Sequence, residues 1–238
     1  MHFLRRLSSS IILSCAESLL PLGEVVLGAS LRGARKFGVR SAMSSVIAKR
    51  LCSELIFVRH NFARYSEISS TVFKILNEYS DLLEPLSIDE AFLDVTNDKK
   101  NIRSGTIIAE KIRSKIKTVT GLTASAGISY NKFLAKIASD INKPNGLFVI
   151  KPDDAQEFVT NLPVEKFFDI WEVTALKMHK LGIHIGLDLR QWSVDSLIRN
   201  FGKAGKFFYD IAREIDNRPV ASSMSENLSE RSLLMRKT

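Results

Sequence analysis

Ten residues constrain this chain more than any others. Ser87-Ile88-Asp89-Glu90-Ala91-Phe92-Leu93-Asp94-Val95-Thr96 reads as part of a buried β-hairpin running from Pro85 to Thr96, yet it carries two adjacent carboxylates, Asp89 and Glu90. Acids are costly beside Ile88, Phe92, Leu93 and Val95 unless something positive compensates them. A hard divalent cation does so, taking carboxylate oxygens and sharing its shell with phosphates. Neighbouring side chains in a strand face opposite ways, so both acids reach one site only at a bend or strand end. On these ten residues alone, a turn with two solvated acids remains the alternative.

The flanking pattern places the hairpin in an αββαβ order. Phe62, Tyr65, Ile68, Val72, Ile75 and Leu76 recur at helical spacing and predict a helix over 62–78. Ile108, Ile112, Ile116 and Val119 predict a second, beginning near Thr106, and Leu122 to Ile128 reads as a strand of mostly small residues. Ser129 is a candidate cap for a third helix, whose apolar face is Phe133, Leu134, Ile137, Ala138 and Ile141. Asn142-Lys143-Pro144-Asn145-Gly146 is a turn signal, and Leu147 to Ile150 a last strand. The small residues Ala124 to Gly127 are expected to permit close helix-on-sheet packing. This order lacks only the leading strand of a βαββαβ, ferredoxin-like sheet, and predicts an α+β fold with helices packed mainly on one face.

From Pro152 to Val220 the pattern is almost wholly helical, punctuated by Pro163, Gly182, Gly186, Gly202 and Gly205; beyond Ala221 the chain turns small and polar. The 34 Lys and Arg against 26 Asp and Glu give a net charge of +8, which favours an anionic partner, nucleic acid before membrane surface. Cys15 and Cys52 have neither zinc-site nor disulfide spacing and suit a reducing cytosol. No apolar run is long enough to span a bilayer. The basic start Met1 to Arg6, followed by Ile11-Ile12-Leu13, faintly has the form of a secretion signal, but Ser8 to Ser10, Ser14 and Glu17 interrupt it.

Three blocks make the pattern specific. They are Ala34-Arg35-Lys36-Phe37-Gly38-Val39-Arg40-Ser41-Ala42-Met43, then Glu84-Pro85-Leu86-Ser87-Ile88-Asp89-Glu90-Ala91, and Ser125-Ala126-Gly127-Ile128-Ser129 with Asn131 to Asp140 and Lys143-Pro144-Asn145-Gly146. Together, over roughly Val25 to Val220, they resemble the Y-family translesion DNA polymerases, of the bacterial polymerase IV (DinB) type. The resemblance implies fingers over 25–61, a ferredoxin-like palm over 62–150 and an all-helical thumb with a helix-hairpin-helix-like motif over 151–220. An unmatched N-terminus (1–24) and a disordered tail (221–238) flank these. It further implies template-directed nucleotidyl transfer in DNA repair, on primed template DNA and deoxynucleoside triphosphates, in the cytoplasm, with two Mg²⁺ ions. Asp89 and Glu90 match metal-holding palm carboxylates and Arg35 and Lys143 match cations on the incoming triphosphate. Nothing in the chain indicates a sliding-clamp contact.

The chain also departs from the pattern. The family opens on a strand bearing a metal-binding aspartate, whereas here no Asp precedes Asp81, and the sheet lacks that strand unless Ile11 to Ser14 supplies it. Ser30-Leu31-Arg32-Gly33 stands where an aromatic normally precedes the triphosphate arginine. In the hairpin after Leu162-Pro163-Val164-Glu165-Lys166-Phe167-Phe168, the usual glycine positions read Asp169 and Trp171, with Glu172 following. Carboxylates there repel phosphate, and Trp171 resists a positive φ. With the C-terminal DNA-gripping domain of the family also unmatched, impaired polymerase activity is expected; the alternative is an inactive DNA-binding remnant or regulatory fragment.

Overall fold

A computed structural model describes residues 10–14, 24, 25, 34, 36–40, 43–57 and 61–221. Arg35 lies outside them, as do Ser30 to Gly33 and the tail beyond Ala221. At the centre is a five-stranded sheet in the order β4-β5-β1-β6-β7. Its strands are β1 (Ser10–Ser14), β4 (Leu83–Pro85), β5 (Glu90–Asp94), β6 (Ser125–Ser129) and β7 (Leu147–Val149). The leading strand left open by the sequence is therefore present: Ser10–Ser14 lies between β5 and β6, antiparallel to both, with Ser14 opposite Glu90 and Ser125. The first four strands have the order of a βαββαβ unit, and β7 joins the edge of β6 in parallel.

Two helices cover one face. In α2 (Phe62–Asn77), Asn61 accepts from the Arg64 N–H as N-cap, and burial begins only at Ser69, so Phe62 stays exposed despite its helical spacing. In α3 (Gly105–Thr120), Ile108, Ile112 and Ile116 are fully buried at four-residue spacing, while Val119, expected on that stripe, turns to solvent. With Ile11, Ala91, Leu93, Val95, Ala126 and Ile128 from the sheet, these helices form one core. Each fully buried Ile or Leu stabilises by roughly 1.5–3 kcal/mol relative to its exposed state.

The expectation of helices mainly on one face is corrected by α4 (Lys132–Ile141), which crosses the opposite face against β1, β6 and β7. α4 is the crossover that the parallel pair β6 and β7 requires, and on that face Phe133, Leu134 and Ile137 are buried in a core shared with the helical remainder of the chain. Gly127 lets it approach, since a methyl there would lie 2.1 Å from the Ala135 carbonyl oxygen and 2.2 Å from the Ser139 nitrogen. The cap is also corrected. Ser129 belongs to β6, where its hydroxyl donates to the Ile150 carbonyl, and Asn131 accepts from the Leu134 N–H to cap α4.

A second core joins α4 to the helical remainder: α5 (Pro152–Asn161), α6 (Glu172–Lys180), α7 (Gly186–Gln191), α8 (Val194–Phe201) and α9 (Ala204–Ile211). Phe133, Leu134 and Ile137 meet Val159, Met178, Leu189, Leu197 and Ile211 there. In the hairpin before α6, Asp169 adopts φ 68, the left-handed region that Asp tolerates, while Trp171 sits at φ −80 and is never asked for a positive value. The segment after α9 then returns to α4, where the buried Asp216 carboxylate accepts from the Phe133 N–H. Near the other end of the chain, α1 (Ser45–Leu51) packs Ala48 with Ala34, Val39 and Leu55, beside a parallel pair formed by β2 (Glu24–Val25) and β3 (Ile56–Phe57).

Candidate active site

The two acids stand at the bend that opens β5. Asp89 is the last residue of the turn 86–89 and Glu90 the first of β5. Ser87 organises this corner: its hydroxyl donates to Asp89 Oδ1 at 2.5 Å and accepts from the Glu90 N–H at 3.1 Å. The backbone N–H groups of Leu86 and Ser87 both donate to the Glu90 carbonyl. The corner is thus closed by its own residues, with Leu86 and Ile88 facing outward.

Compensating charge comes from α4. Lys136 Nζ lies 2.9 Å from Glu90 Oε1, both side chains being largely buried, at 11% and 19% exposure. Lys143, just past the helix, lies 2.7 Å from Asp140 and 3.9 Å from the same Glu90 oxygen. One turn before Lys136, the buried Lys132 Nζ reaches both Glu84 oxygens at 2.7 Å and the Pro219 carbonyl at 3.2 Å, and sits 5.0 Å from the Phe92 ring centre. Lys132, Lys136 and Asp140 form a stripe at four-residue spacing, so one helix face carries charge within an otherwise apolar segment. From sequence, this helix offers an apolar core stripe and a functional polar end running into Lys143; the pairing of Lys132 and Lys136 with acids of the sheet is not legible there. Its available signal was two lysines four residues apart where no solvated face remained.

Of the residues singled out in the sequence, the structure brings Asp89, Glu90 and Lys143 to one end of the sheet; Arg35 lies outside the described residues. Lys136 and Lys143 set two ammonium groups against the carboxylates of Glu90 and Asp140. No group of three or more His, Cys, Asp or Glu side chains placed to hold a metal ion occurs among the described residues. Within them, Glu90 Oε2 and Asp89 Oδ2 have no protein partner, and β1 contributes Ser10-Ile11-Ile12-Leu13-Ser14, without a carboxylate. By donor chemistry, two hard carboxylate oxygens from adjacent residues are of the kind that a divalent cation takes, its shell completed by water and phosphate.

Sequence and fold together place the chain in a known family. The chain belongs to the impB/mucB/samB family, the Y-family polymerases, whose profile matches residues 10–140. Among its relatives, DNA polymerase IV of Bacteroides fragilis is 54% identical over 195 residues, covering 82% of this chain and 54% of the relative. DNA polymerase IV 3 of Mesorhizobium japonicum is 57% identical over 195 residues, with the same shares. The chain thus spans about half the length of the curated relatives it matches. In three dimensions it is similar to the crystal structure of DinB from Sulfolobus solfataricus, with a TM-score of 0.81, 29% identity, and coverage of 90% of this chain and 69% of that one. It is also similar to an insertion ternary complex of Dbh DNA polymerase, with a TM-score of 0.79, 30% identity, and coverage of 89% and 69%. No described helix is long and apolar enough to cross a membrane.

Proposed function

We propose that this chain carries the catalytic portion of a DNA-directed DNA polymerase of the translesion type, transferring nucleotides from deoxynucleoside triphosphates to a primer on template DNA. The observation that carries the reading is the Asp89–Glu90 corner held at the end of a βαββαβ sheet with Lys136 and Lys143 beside it. In this reading the sheet region 62–150 is the palm, 25–61 the fingers and 151–220 the thumb, whose hairpin at Asp169 and Trp171 is the helix-hairpin-helix-like element. Residues 1–24, whose Ser10–Ser14 completes the palm sheet, and the tail 221–238 flank them.

Asp89 and Glu90 hold the divalent cation, Mg²⁺ by the family's chemistry. When bound, it favours ionisation of the primer 3′-hydroxyl and neutralises charge on the triphosphate and leaving pyrophosphate. Lys143 offers a point charge to the triphosphate and Arg35 a planar fork. Ser87 fixes the orientation of Asp89, and Lys136 that of Glu90. Because β1 supplies no carboxylate, the geometry of a two-ion set rests on two acids and the substrate's own oxygens, and turnover is expected to be low.

The test is primer extension on a primed template with Mg²⁺ and all four triphosphates, run beside Asp89→Ala with duplex binding measured for both. Extension that disappears in Asp89→Ala is the expected result. Failure of the unmodified chain to extend a primer it binds would replace this reading with that of a non-catalytic DNA-binding remnant.

A further inference from the structure

Lys136 is the deeper of the two lysines that face Glu90. Its side chain is 11% exposed, its ammonium group contacts Glu90 Oε1 at 2.9 Å, and Asp140 Oδ2 lies 3.9 Å away. Its ammonium group also lies 5.8 Å from the centre of the Phe168 ring. Its backbone lies in the stretch of α4 pressed onto Gly127, so the stem has little freedom to withdraw. Glu90 is therefore paired by a fixed internal cation before any external one arrives. The neighbouring Lys143 adds a second positive charge at 3.9 Å.

Such pairing has two opposed consequences. The ammonium group orients Glu90 and leaves Oε2 outward, ready to act as a donor. It also places a like charge close to any cation bound there, in a partly desolvated pocket where repulsion is little screened. With Lys136 at 2.9 Å and Lys143 at 3.9 Å from Glu90 Oε1, a divalent cation alone is held weakly. A ligand bringing its own phosphate charge restores the attraction.

We propose that Lys136 is a positioning residue that serves as the resident counter-cation of Glu90. It fixes the carboxylate and lowers the site's intrinsic affinity for a divalent cation, so that the site fills together with an anionic phosphate ligand rather than before it. The proposal rests on Asp89 and Glu90 being the cation's donors, as read above.

Direct Mn²⁺ binding to the purified chain, without DNA or nucleotide, tests it by electron paramagnetic resonance of the free ion. Lys136→Met, which keeps the buried stem and removes the charge, is expected to tighten Mn²⁺ binding on the order of tenfold. Combining it with Glu90→Gln is expected to abolish the gain. Damage to packing loosens a site, so tighter binding is a readout that a merely structural role does not produce. Lys136→Arg, which keeps the charge, stays at the unmodified affinity, and thermal melts check that every variant is folded. Unchanged or weaker Mn²⁺ binding in folded Lys136→Met, while the unmodified chain binds Mn²⁺ and Asp89→Ala does not, overturns the role of Lys136 alone. Mn²⁺ binding in none of the variants, or binding indifferent to Asp89→Ala, overturns the donor assignment and this proposal with it.

Discussion

Gly127→Ala isolates the approach of α4 to the sheet. The added methyl would stand 2.1 Å from the Ala135 oxygen and 2.2 Å from the Ser139 nitrogen, and both atoms are backbone, so no rotamer change relieves the overlap. Ordinary contact is about 3.5 Å, so α4 must lift by roughly 1 Å along its contact with β1, β6 and β7. Overpacking costs ~1–3 kcal/mol, and a rigid backbone obstacle puts this case near the top, at about 3 kcal/mol. In a domain of this size that corresponds to a fall of about 6–12 °C in Tm. Gly121→Ala is the internal control: it has φ 75 but nothing within 4 Å of its added carbon. Its cost is the left-handed strain alone, about 1 kcal/mol. Circular dichroism melts and urea titrations of the three proteins measure both. A Gly127→Ala protein no less stable than Gly121→Ala would refute the argument that α4 is seated on the sheet through this glycine.

Lys132→Met leaves Glu84 without its ammonium partner; because Glu84 is 25% exposed and partly rehydrates, the loss is expected at about 2 kcal/mol, below the ~3–5 kcal/mol of a fully buried pair. Adding Glu84→Gln is expected to return part of that loss in a urea-denaturation double-mutant cycle, and strict additivity would count against the pair. Acid unfolding is expected to depend on Asp216. Burial pushes its carboxyl up, but the Arg218 guanidinium at 2.7 Å and 2.8 Å and the Phe133 N–H outweigh this and hold it below the usual range. A depressed acid contributes stability that is present above its unfolded value of ~3.9 and is lost as pH falls through the folded value. Asp216→Asn should therefore flatten the acid limb of the stability–pH curve, and an unaltered limb below pH ~4 would exclude the linkage. Glu214, pushed up by burial against the pull of Arg190, acts in the opposite sense, its contribution improving as pH falls through its raised value.

What the residues disclosed in advance, and what they did not, follows the range of the forces involved. The spacing of Ile108, Ile112 and Ile116 is a local pattern, and it predicted both a helix and its buried face. The small residues around Gly127 likewise foretold close packing. Ile11 to Ser14 could be offered only as a conditional strand, because a five-residue strand at the centre of a sheet is defined by partners more than 70 positions away, Glu90–Asp94 and Ser125–Ser129. Ser129 and Asn131 are equally good caps by residue type; only the extension of β6 through Ser129 decides between them. The turn at Asp169 was misjudged in part because the positive φ falls on the one residue there that bears it cheaply. At the site, the paired acids were legible as an anomaly, whereas their partner Lys136 was hidden in an apolar stripe that looked complete without it.

The placement of α4 explains why charge and packing cannot be varied independently here. Every residue from Lys132 to Ser139 is buried, so the helix has no solvent face to absorb a shift. Phe133, Leu134, Ile137 and Ala138 lock it to the helical half of the molecule, while Lys132 and Lys136 tie it to acids at the end of the sheet. Asp216 grips its first turn from the segment that follows α9. A perturbation of the helical half therefore reaches Glu90 through one rigid element whose ammonium groups move with it. By the same logic, a change at Gly127 displaces Lys136 from Glu90 without altering a single charged residue. Stability and cation affinity are then coupled through geometry: variants that lift α4 should bind Mn²⁺ differently even where every donor is intact.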